Sequence, residues 1–189
     1  MSASNDRPTN FTDLAFTPTV RRLQEERGSR AGYERMGQQA ASALDWRATM
    51  YLQERDSFYM STVGENGWPY VQHRGGPPGF VRVIDEQTLA FADFRGNKQY
   101  ISTGNIIDNQ RVAMIFMDYP NQRRLKVWAL ATVMSATDDP ALAAAVELPD
   151  YAAKVERIFN LEVVGLDWNC PQHITPRFTA AEIEALKTL

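Results

Sequence analysis

The chain has 189 residues, a formal net charge of −3 and a hydrophobic fraction of 44%. This length and apolar content predict one globular domain with a sizeable core. The basic residues are scattered and number 20 against 23 acidic ones, which argues against a nucleic-acid partner. No apolar run approaches the roughly 20 residues that span a bilayer. The single cysteine, Cys170, excludes an intrachain disulfide, so we expect a cytoplasmic protein with no membrane partner.

The N-terminal part of the chain predicts helices that cover a later sheet. Residues 1–15 have no regular apolar pattern and are expected to be a disordered lead-in, with the folded domain at 16–189. A short helix is predicted to begin near Pro18 and to stop at Gly28. A second helix is predicted over residues 39–55, where apolar residues recur close to a 3.6-residue period.

From residue 57 the pattern changes to short runs rich in β-branched and aromatic residues. Asn66-Gly67 separates the first two runs, and both positions tolerate the positive φ of a tight hairpin turn. Short strands joined by short connections predict a mainly β, α+β fold, a barrel or closed sheet with peripheral helices. The six runs are SFYMSTV, WPYVQHR, GFVRVI, TLAFAD, RVAMIFMDY and RRLKVWALATVMSAT, and VERIFNLEVVGLDW is predicted as a seventh strand.

Two further helices are predicted near the C-terminus. The first opens at Asp138-Asp139-Pro140 and runs to about Leu148, with acidic residues where the helix dipole favours them. The second begins at Thr179, because Thr179 and Glu182 form a capping-box pattern.

The stretch ADFRGNKQYISTGN, residues 92–105, is unusually rich in hydrogen-bond donors. If it leads from a strand into a helix beginning at Lys98, free backbone N–H groups would lie beside Lys98, Gln99 and Ser102. Such a helix start suits a phosphate or another anion. The alternative is that Asn97 only caps the helix and that Lys98 is solvated.

Four segments together resemble the pyridoxamine 5′-phosphate oxidase-related flavoproteins, the FMN-binding split-barrel family. They are NGWPYVQHRGGPPGF, LAFADFRGNKQYISTGNI, RVAMIFMDYPNQRRLKVWALA and DWNCPQHITPRF. The resemblance covers roughly residues 16–178 and is closest to branches other than the vitamin B6 enzyme. It implies a six-stranded antiparallel split β-barrel, a homodimer, and FMN bound at the subunit interface.

The resemblance also implies the residues that surround FMN. It places the phosphate and ribityl chain against Lys98 and Gln99, with Asn97 and Ser102 nearby. The remaining implied cofactor-binding residues lie at strand ends and on the strand after the DYP turn: His73, Arg74, Gly75, Gly76, Ala92, Asp93 and Arg124. The resemblance also implies that the C-terminal segment, with Gln172, His173 and Arg177, reaches the cofactor from the partner subunit.

The expected activity is that of an FMN-dependent oxidoreductase acting between a small organic substrate and a nicotinamide cofactor or oxygen. A non-catalytic module that stores or senses flavin, and a haem or deazaflavin protein on the same barrel, are the alternatives. No catalytic residue is assigned, although His73 could act as a proton donor. The substrate-binding constellation of the vitamin B6 enzyme is not recognisable, so pyridoxamine phosphate is not the expected substrate.

Cys170 and His173 have a C-x-x-H spacing, which raises the possibility of a metal site. With one cysteine and two histidines in the chain, a structural zinc site would need carboxylate ligands, so no metal is expected. A buried, inert cysteine is the simplest interpretation, and a thiol that reacts with the flavin is the alternative.

Overall fold

The computed structural model describes residues 10–37, 43–148, 151, 153, 155–168 and 171–187. The helices are α1 (Phe11–Ala15), α2 (Pro18–Glu26), α3 (Arg30–Gly37), α4 (Trp46–Gln53), α5 (Ile101–Asp108), α6 (Pro140–Val146) and α7 (Ala180–Leu186). The strands are β1 (Ser57–Val63), β2 (Pro69–Gly75), β3 (Arg82–Asp85), β4 (Thr88–Phe94), β5 (Arg111–Asp118), β6 (Arg123–Met134) and β7 (Val155–Trp168).

The strands form one antiparallel sheet in the order β2-β1-β5-β6-β7-β4-β3. All six predicted runs and the predicted seventh strand are present, which confirms the mainly β fold with peripheral helices. The resemblance implied six strands, but the described sheet has seven, because β7 is also a member of it. Strand β7 bridges β6 and β4 and so connects the two halves of the sheet.

The sheet curls until its two ends approach each other. Strand β2 forms one edge of the sheet, and β4 lies next to β3, which forms the opposite edge. Arg74 of β2 nevertheless forms an ion pair with Asp93 of β4. The Phe58 ring of β1 meets the Phe91 ring of β4 edge-on, with centroids 5.4 Å apart. Side chains rather than backbone hydrogen bonds join these edges among the described residues, so the architecture is a split barrel.

Aromatic side chains fill the interior of the barrel. Alternate residues of β5 and β6 are buried, as expected for strands with one face on a core. The Phe91 ring stacks on the Phe159 ring at 4.8 Å, and the Phe58 ring stacks on the Phe116 ring at the same distance. Offset stacks and edge-on contacts add to the burial of apolar area and fix the relative positions of the strands.

The β1–β2 hairpin is confirmed, but its turn differs from the predicted one. The N–H of Gly67 donates to the carbonyl of Gly64 at 2.8 Å, which makes Glu65 and Asn66 the central residues. Gly67 has a φ of 79°, while Asn66 is not among the residues with positive φ. In this loop only the glycine adopts a left-handed conformation, which it tolerates because it has no Cβ atom.

The N-terminal helices differ most from the sequence prediction. Residues 11–15 were expected to be disordered, but they form α1, whose Phe11 packs against Trp128 with ring centroids 5.2 Å apart. The α2 helix begins at Pro18 as predicted. The α4 helix begins only at Trp46, after the Asp45 cap, and part of its predicted N-terminal extension lies outside the described residues.

The two C-terminal helices are confirmed. Asp139 caps α6 by accepting from the N–H of Leu142, and the capping box of Thr179 and Glu182 is formed at α7. Within the described ranges, no helix has the length and apolar character needed to cross a bilayer.

Candidate functional site

A polar cleft of about 230 Å³ lies where the two ends of the sheet approach each other. Residues from β2, the end of β4, the start of β7 and the segment leading into α5 surround it. The lining residues are Gln72, Arg74, Asp93, Phe94, Gly96, Asn97, Lys98, Gln99, Tyr100, Ile101, Ser102, Thr103, Glu156 and Arg157. Six of the sequence-predicted cofactor residues are in this set: Arg74, Asp93, Asn97, Lys98, Gln99 and Ser102.

Asp93 forms the floor of the cleft with two arginines. Its Oδ1 accepts from Nη1 of Arg74 at 2.6 Å, and its Oδ2 accepts from Nη2 of Arg157 at 2.9 Å. Asp93 and Arg157 lie directly opposite each other on β4 and β7. Burial lowers the pKa of Arg157, but the hydrogen bond and the charge of Asp93 outweigh burial and raise it above its usual value. The Arg157 guanidinium is therefore held cationic beside the cleft.

The segment before α5 differs in detail from the predicted helix start. The helix begins at Ile101 rather than at Lys98, because Lys98 and Tyr100 adopt left-handed φ angles of 61° and 55°. The N–H of Gln99, predicted to be free, donates to Oδ1 of Asn97 at 3.1 Å. The Tyr100 side chain makes no capping hydrogen bond to the backbone of the helix, so no N-cap side chain occupies the first N–H groups, from Ile101 onward, and they can bind a ligand.

Gln72 and Ser102 connect β2 to the start of α5. The Ser102 hydroxyl donates to Oε1 of Gln72 at 3.2 Å, and the Tyr70 hydroxyl donates to the same oxygen at 3.3 Å. Because Oε1 accepts both bonds, the amide nitrogen of Gln72 is left as a donor for the cleft. Sequence reasoning missed Gln72, although alternation along β2 places it on the same face as Arg74.

Tyr100, Glu156 and Arg157 form one wall and were also missed. The Tyr100 hydroxyl donates to Oε1 of Glu156 at 2.8 Å. The Arg157 guanidinium lies over the Tyr100 ring, 4.6 Å from its centroid. The pairing of β4 with β7 joins residues more than 60 positions apart, and no local pattern in the sequence indicates that register.

Gly75, Gly76 and Ala92 do not line the cleft. The N–H of Gly76 donates to the carbonyl of Asp56 at 2.9 Å and is therefore not free to bind a cofactor. A Cβ at Gly76 would lie 2.7 Å from Cγ of Phe80, so the glycine makes room for a core ring. The Ala92 side chain belongs to a second apolar cluster with Val146 and Ile158, on the opposite face of β4 from Asp93.

His73 and Arg124 lie on the outer face of the barrel. His73 alternates with Gln72 and Arg74, and its ring meets the Tyr59 ring edge-on at 5.4 Å. Arg124 alternates with the buried Leu125, and its Nε is buried without a hydrogen-bond partner among the described residues. Neither residue is among those that line the cleft of its own chain.

The C-terminal segment lies against the β5–β6 turn. Nε2 of Gln122 donates to the carbonyl of Ile174 at 2.7 Å, and the Arg177 guanidinium lies 4.9 Å from the centroid of the Tyr119 ring. Gln172 and His173 are exposed, and His173 has a left-handed φ of 64°. None of the three predicted residues here, Gln172, His173 and Arg177, lines the cleft.

Cys170 lies outside the described residues. In the part of the chain that the structure describes, no group of three or more His, Cys, Asp and Glu side chains is arranged to hold a metal ion.

Comparison with known proteins identifies the family. A family model described as pyridoxamine 5′-phosphate oxidase matches residues 45–166, more than half of the chain. The chain belongs to the pyridoxamine 5′-phosphate oxidase family. The matched range contains every residue that lines the cleft. A search among curated protein sequences finds no match.

Solved structures share the fold of this family member. HupZ of Group A Streptococcus aligns with a TM-score of 0.52 and 14% identity, over 71% of this chain and 99% of HupZ. An FMN-binding protein from Syntrophomonas wolfei aligns with a TM-score of 0.50 and 13% identity, over 79% and 97% of the two chains. A proposed pyridoxamine 5′-phosphate oxidase from Lactobacillus delbrueckii aligns with a TM-score of 0.50 and 23% identity, over 67% and 95%. These similarities show the split-barrel fold.

Proposed function

We propose that this protein is an FMN-binding oxidoreductase whose cleft holds the cofactor phosphate. It would transfer hydride or electrons between a small organic substrate and a nicotinamide cofactor or oxygen. One observation carries the proposal: Arg74, Lys98 and Arg157 converge with the start of α5 on a single cleft. Cations, neutral donors and a helix N-terminus together are the groups that bind a phosphate dianion. Membership of the family and the fold shared with an FMN-binding protein support the choice of FMN.

The donor set fits a phosphate ester. Nε of Arg74 is buried without a hydrogen-bond partner in the described structure, and leaving such a donor unsatisfied is unfavourable. The amides of Gln72 and Gln99 and the exposed ammonium of Lys98 also border the cleft. When bound, FMN would supply hydride and electron transfer, while these side chains would hold and orient its phosphate end.

A homodimer is part of the proposal, because the implied cofactor residues lie on opposite faces of one chain. Arg74 lines the cleft, whereas His73 and Arg124 lie on the outer face. One small ligand could contact both sets if the outer face of one subunit covered the cleft of the other. The outer face also exposes Tyr59 by 43% and Val71 by 61%, an apolar surface suited to a partner. Light scattering of the purified protein should give twice the monomer mass, and a monomer mass would reject this part.

The test of the phosphate anchor is Lys98→Ala. Loss of one charge-assisted contact should weaken FMN binding by about 1 to 3 kcal/mol, measured by quenching of flavin fluorescence. Lys187→Ala is the matched control, because Lys187 is an exposed lysine that pairs with Glu184 on α7. Unchanged affinity in Lys98→Ala would reject the anchor.

The visible spectrum tests the cofactor itself. The purified protein should be yellow and should release FMN on denaturation, and a haem Soret band, bound deazaflavin, or no response to added FMN would contradict the proposal. Stopped-flow mixing with NADH or NADPH should then reduce the bound flavin rapidly. Sluggish reduction by every donor tested would favour storage or sensing of flavin over catalysis.

A further inference from the structure

A second, open groove of about 430 Å³ lies between the β1–β2 turn and the first turns of α5. It adjoins the proposed phosphate cleft, because Ile101 lines both spaces. Tyr70 lines the groove, and its hydroxyl donates to Gln72, which lines the cleft. The volume is within the range of roughly 300–1,000 Å³ that is usual for small-molecule sites. One ligand could therefore extend from the cleft into the groove.

Trp68 gives the groove an exposed aromatic face. It is 74% exposed, whereas tryptophan is highly buried on average. Its backbone is nevertheless fixed in the hairpin. The Trp68 N–H donates to Oδ1 of Asn66 at 3.1 Å, and its carbonyl accepts from the N–H of Gly64 at 3.0 Å. An aromatic ring on a fixed backbone is a surface on which a planar nucleobase can stack.

Two amide side chains on the groove each keep one unused group. Asn66 accepts from Trp68 with its Oδ1, which leaves its Nδ2 as a donor. Asn105 donates from its Nδ2 to the Thr62 hydroxyl at 2.9 Å, which leaves its Oδ1 as an acceptor. That oxygen faces Gly64, where it would lie 3.4 Å from an added Cβ. Adenine has an amino donor and ring-nitrogen acceptors, so this pair matches its edge.

The charges give such a ligand a direction. Among the described residues that line the groove, Glu65 is the only charged one. The cleft, in contrast, is lined by the cations Arg74, Lys98 and Arg157. Phosphate groups are repelled by Glu65 and attracted by those cations. A nucleotide would therefore place its base in the groove and its phosphates toward Ile101 and the cleft.

We propose that the groove beside Trp68 is an adenine-nucleoside site, which takes the adenosine half of a dinucleotide whose phosphates lie toward the cleft. Two ligands carry this chemistry. In FAD the adenosine is attached through the flavin phosphate, and in NADH or NADPH it belongs to the electron donor. The inference rests on the proposed function for the position of the flavin phosphate, and it adds a subsite that FMN alone does not fill.

Two titrations test the site and separate the two sources. The first compares the affinities of FAD and FMN for the cofactor-free protein by quenching of flavin fluorescence. The second measures binding of ADP to the FMN-loaded protein by calorimetry. Tighter binding of FAD than of FMN would assign the groove to the adenosine of the cofactor. Binding of ADP to the loaded protein would assign it to the adenosine of the nicotinamide donor.

Variants of Trp68 test the aromatic surface. In Trp68→Ala, the ratio of FAD to FMN affinity, or the affinity for ADP, should fall roughly 5- to 150-fold, as expected for the loss of one stacked base. Trp68→Phe should retain most of the binding, because it keeps an aromatic face. Trp46→Ala is the matched control, since Trp46 is 79% exposed but begins α4 and does not line the groove. In the second titration IDP should bind more weakly than ADP, because hypoxanthine has no amino group for Asn105.

The outcomes separate this inference from the proposed function. A protein that binds FMN, shows no preference for FAD and does not bind ADP overturns the nucleoside site and leaves the proposed function standing. A protein that binds no flavin overturns both. Equal affinities in wild type and Trp68→Ala would overturn the role of Trp68 and with it the site. If Trp68→Ala turned a dimer into a monomer in light scattering, a second copy would cover the groove, and the nucleoside site would again be overturned.

Discussion

Tyr51→Phe tests how α4 is attached to the barrel. The Tyr51 side chain is buried, and its hydroxyl donates to the carbonyl of Phe116 at 3.0 Å and lies 3.3 Å from the carbonyl of Arg123. Phenylalanine keeps the ring and its edge-on contact with Trp168 at 4.9 Å. The variant therefore loses one buried hydrogen bond and little packing, so its free energy of unfolding at pH 7 should fall by about 1 to 2 kcal/mol.

The same hydroxyl makes the stability depend on alkaline pH. Burial raises the pKa of Tyr51 well above its ordinary value, Asp118 raises it further, and the cations Arg55 and Arg123 oppose the shift only in part. In the unfolded chain the tyrosine titrates near its ordinary pKa of about 10. The unfolded state therefore loses this proton first as pH rises. The contribution of the Tyr51 hydroxyl to the free energy of unfolding is fully present below about pH 10. It is lost as the pH rises from there to the higher pKa of the folded state.

Urea unfolding at pH 9, 10 and 11 measures this effect. The difference in stability between wild type and Tyr51→Phe should shrink by about 1.4 kcal/mol by pH 11, and even reverse sign for a small initial difference. Taking the difference cancels the titration of the other tyrosines and the lysines, which both proteins share. Parallel stability curves across this range would refute the account, because they would mean that Tyr51 titrates alike in the folded and unfolded states.

Two other substitutions test the packing that positions the site. In Gly165→Ala, the new Cβ would lie 2.7 Å from the backbone nitrogen of Phe11, so α1 should be displaced from β7 at a cost of roughly 1 to 3 kcal/mol. The fluorescence of Trp128, which contacts Phe11, should change with it. In Phe91→Ala, loss of the ring that stacks on Phe159 should lower the unfolding free energy by roughly 3 to 5 kcal/mol, measured by urea denaturation.

Both substitutions have matched controls. Gly32→Ala lies within α3 with open space around its Cβ, and alanine favours a helix, so its stability should not fall. Ile107→Ala removes a side chain that is 78% exposed and should have little effect. A Gly165→Ala protein as stable as wild type with unchanged Trp128 emission would show that α1 does not depend on this contact. A loss in Phe91→Ala no larger than that in Ile107→Ala would contradict the barrel core.

The strands could be predicted because their signals are local. Alternation of apolar and polar residues follows directly from the two-residue period of a strand, and β5 shows it along its whole length. The start of α5 was misplaced because Lys98 and Tyr100 take left-handed conformations that neither side chain favours. The hydrogen bond from Tyr100 to Glu156 is a tertiary contact that fixes this segment, and it leaves no local trace in the sequence.

The cleft could be predicted only in part for a similar reason. Asn97, Lys98 and Gln99 adjoin each other in the chain, so one polar stretch indicated them together. Arg157 reaches the cleft through the register of β4 with β7, which depends on long-range pairing. Strand alternation alone would have predicted that His73 lies on the face of β2 opposite Arg74 and therefore outside the cleft.

The anion site that we propose would account for the ion-paired cluster at the seam of the barrel, which stability alone does not explain. Placing Asp93 between Arg74 and Arg157 removes its carboxylate and most of the two arginine side chains from water, and well-packed apolar residues at such a position are often as stable or more so. Apolar side chains would also close the seam between β2 and β4 and fill the space that is now a cleft. The charged cluster instead bridges the edges through side chains and leaves room beside them. With Lys98 counted, the cleft has three cations against the two carboxylates of Asp93 and Glu156, and an incoming anion would complete that balance.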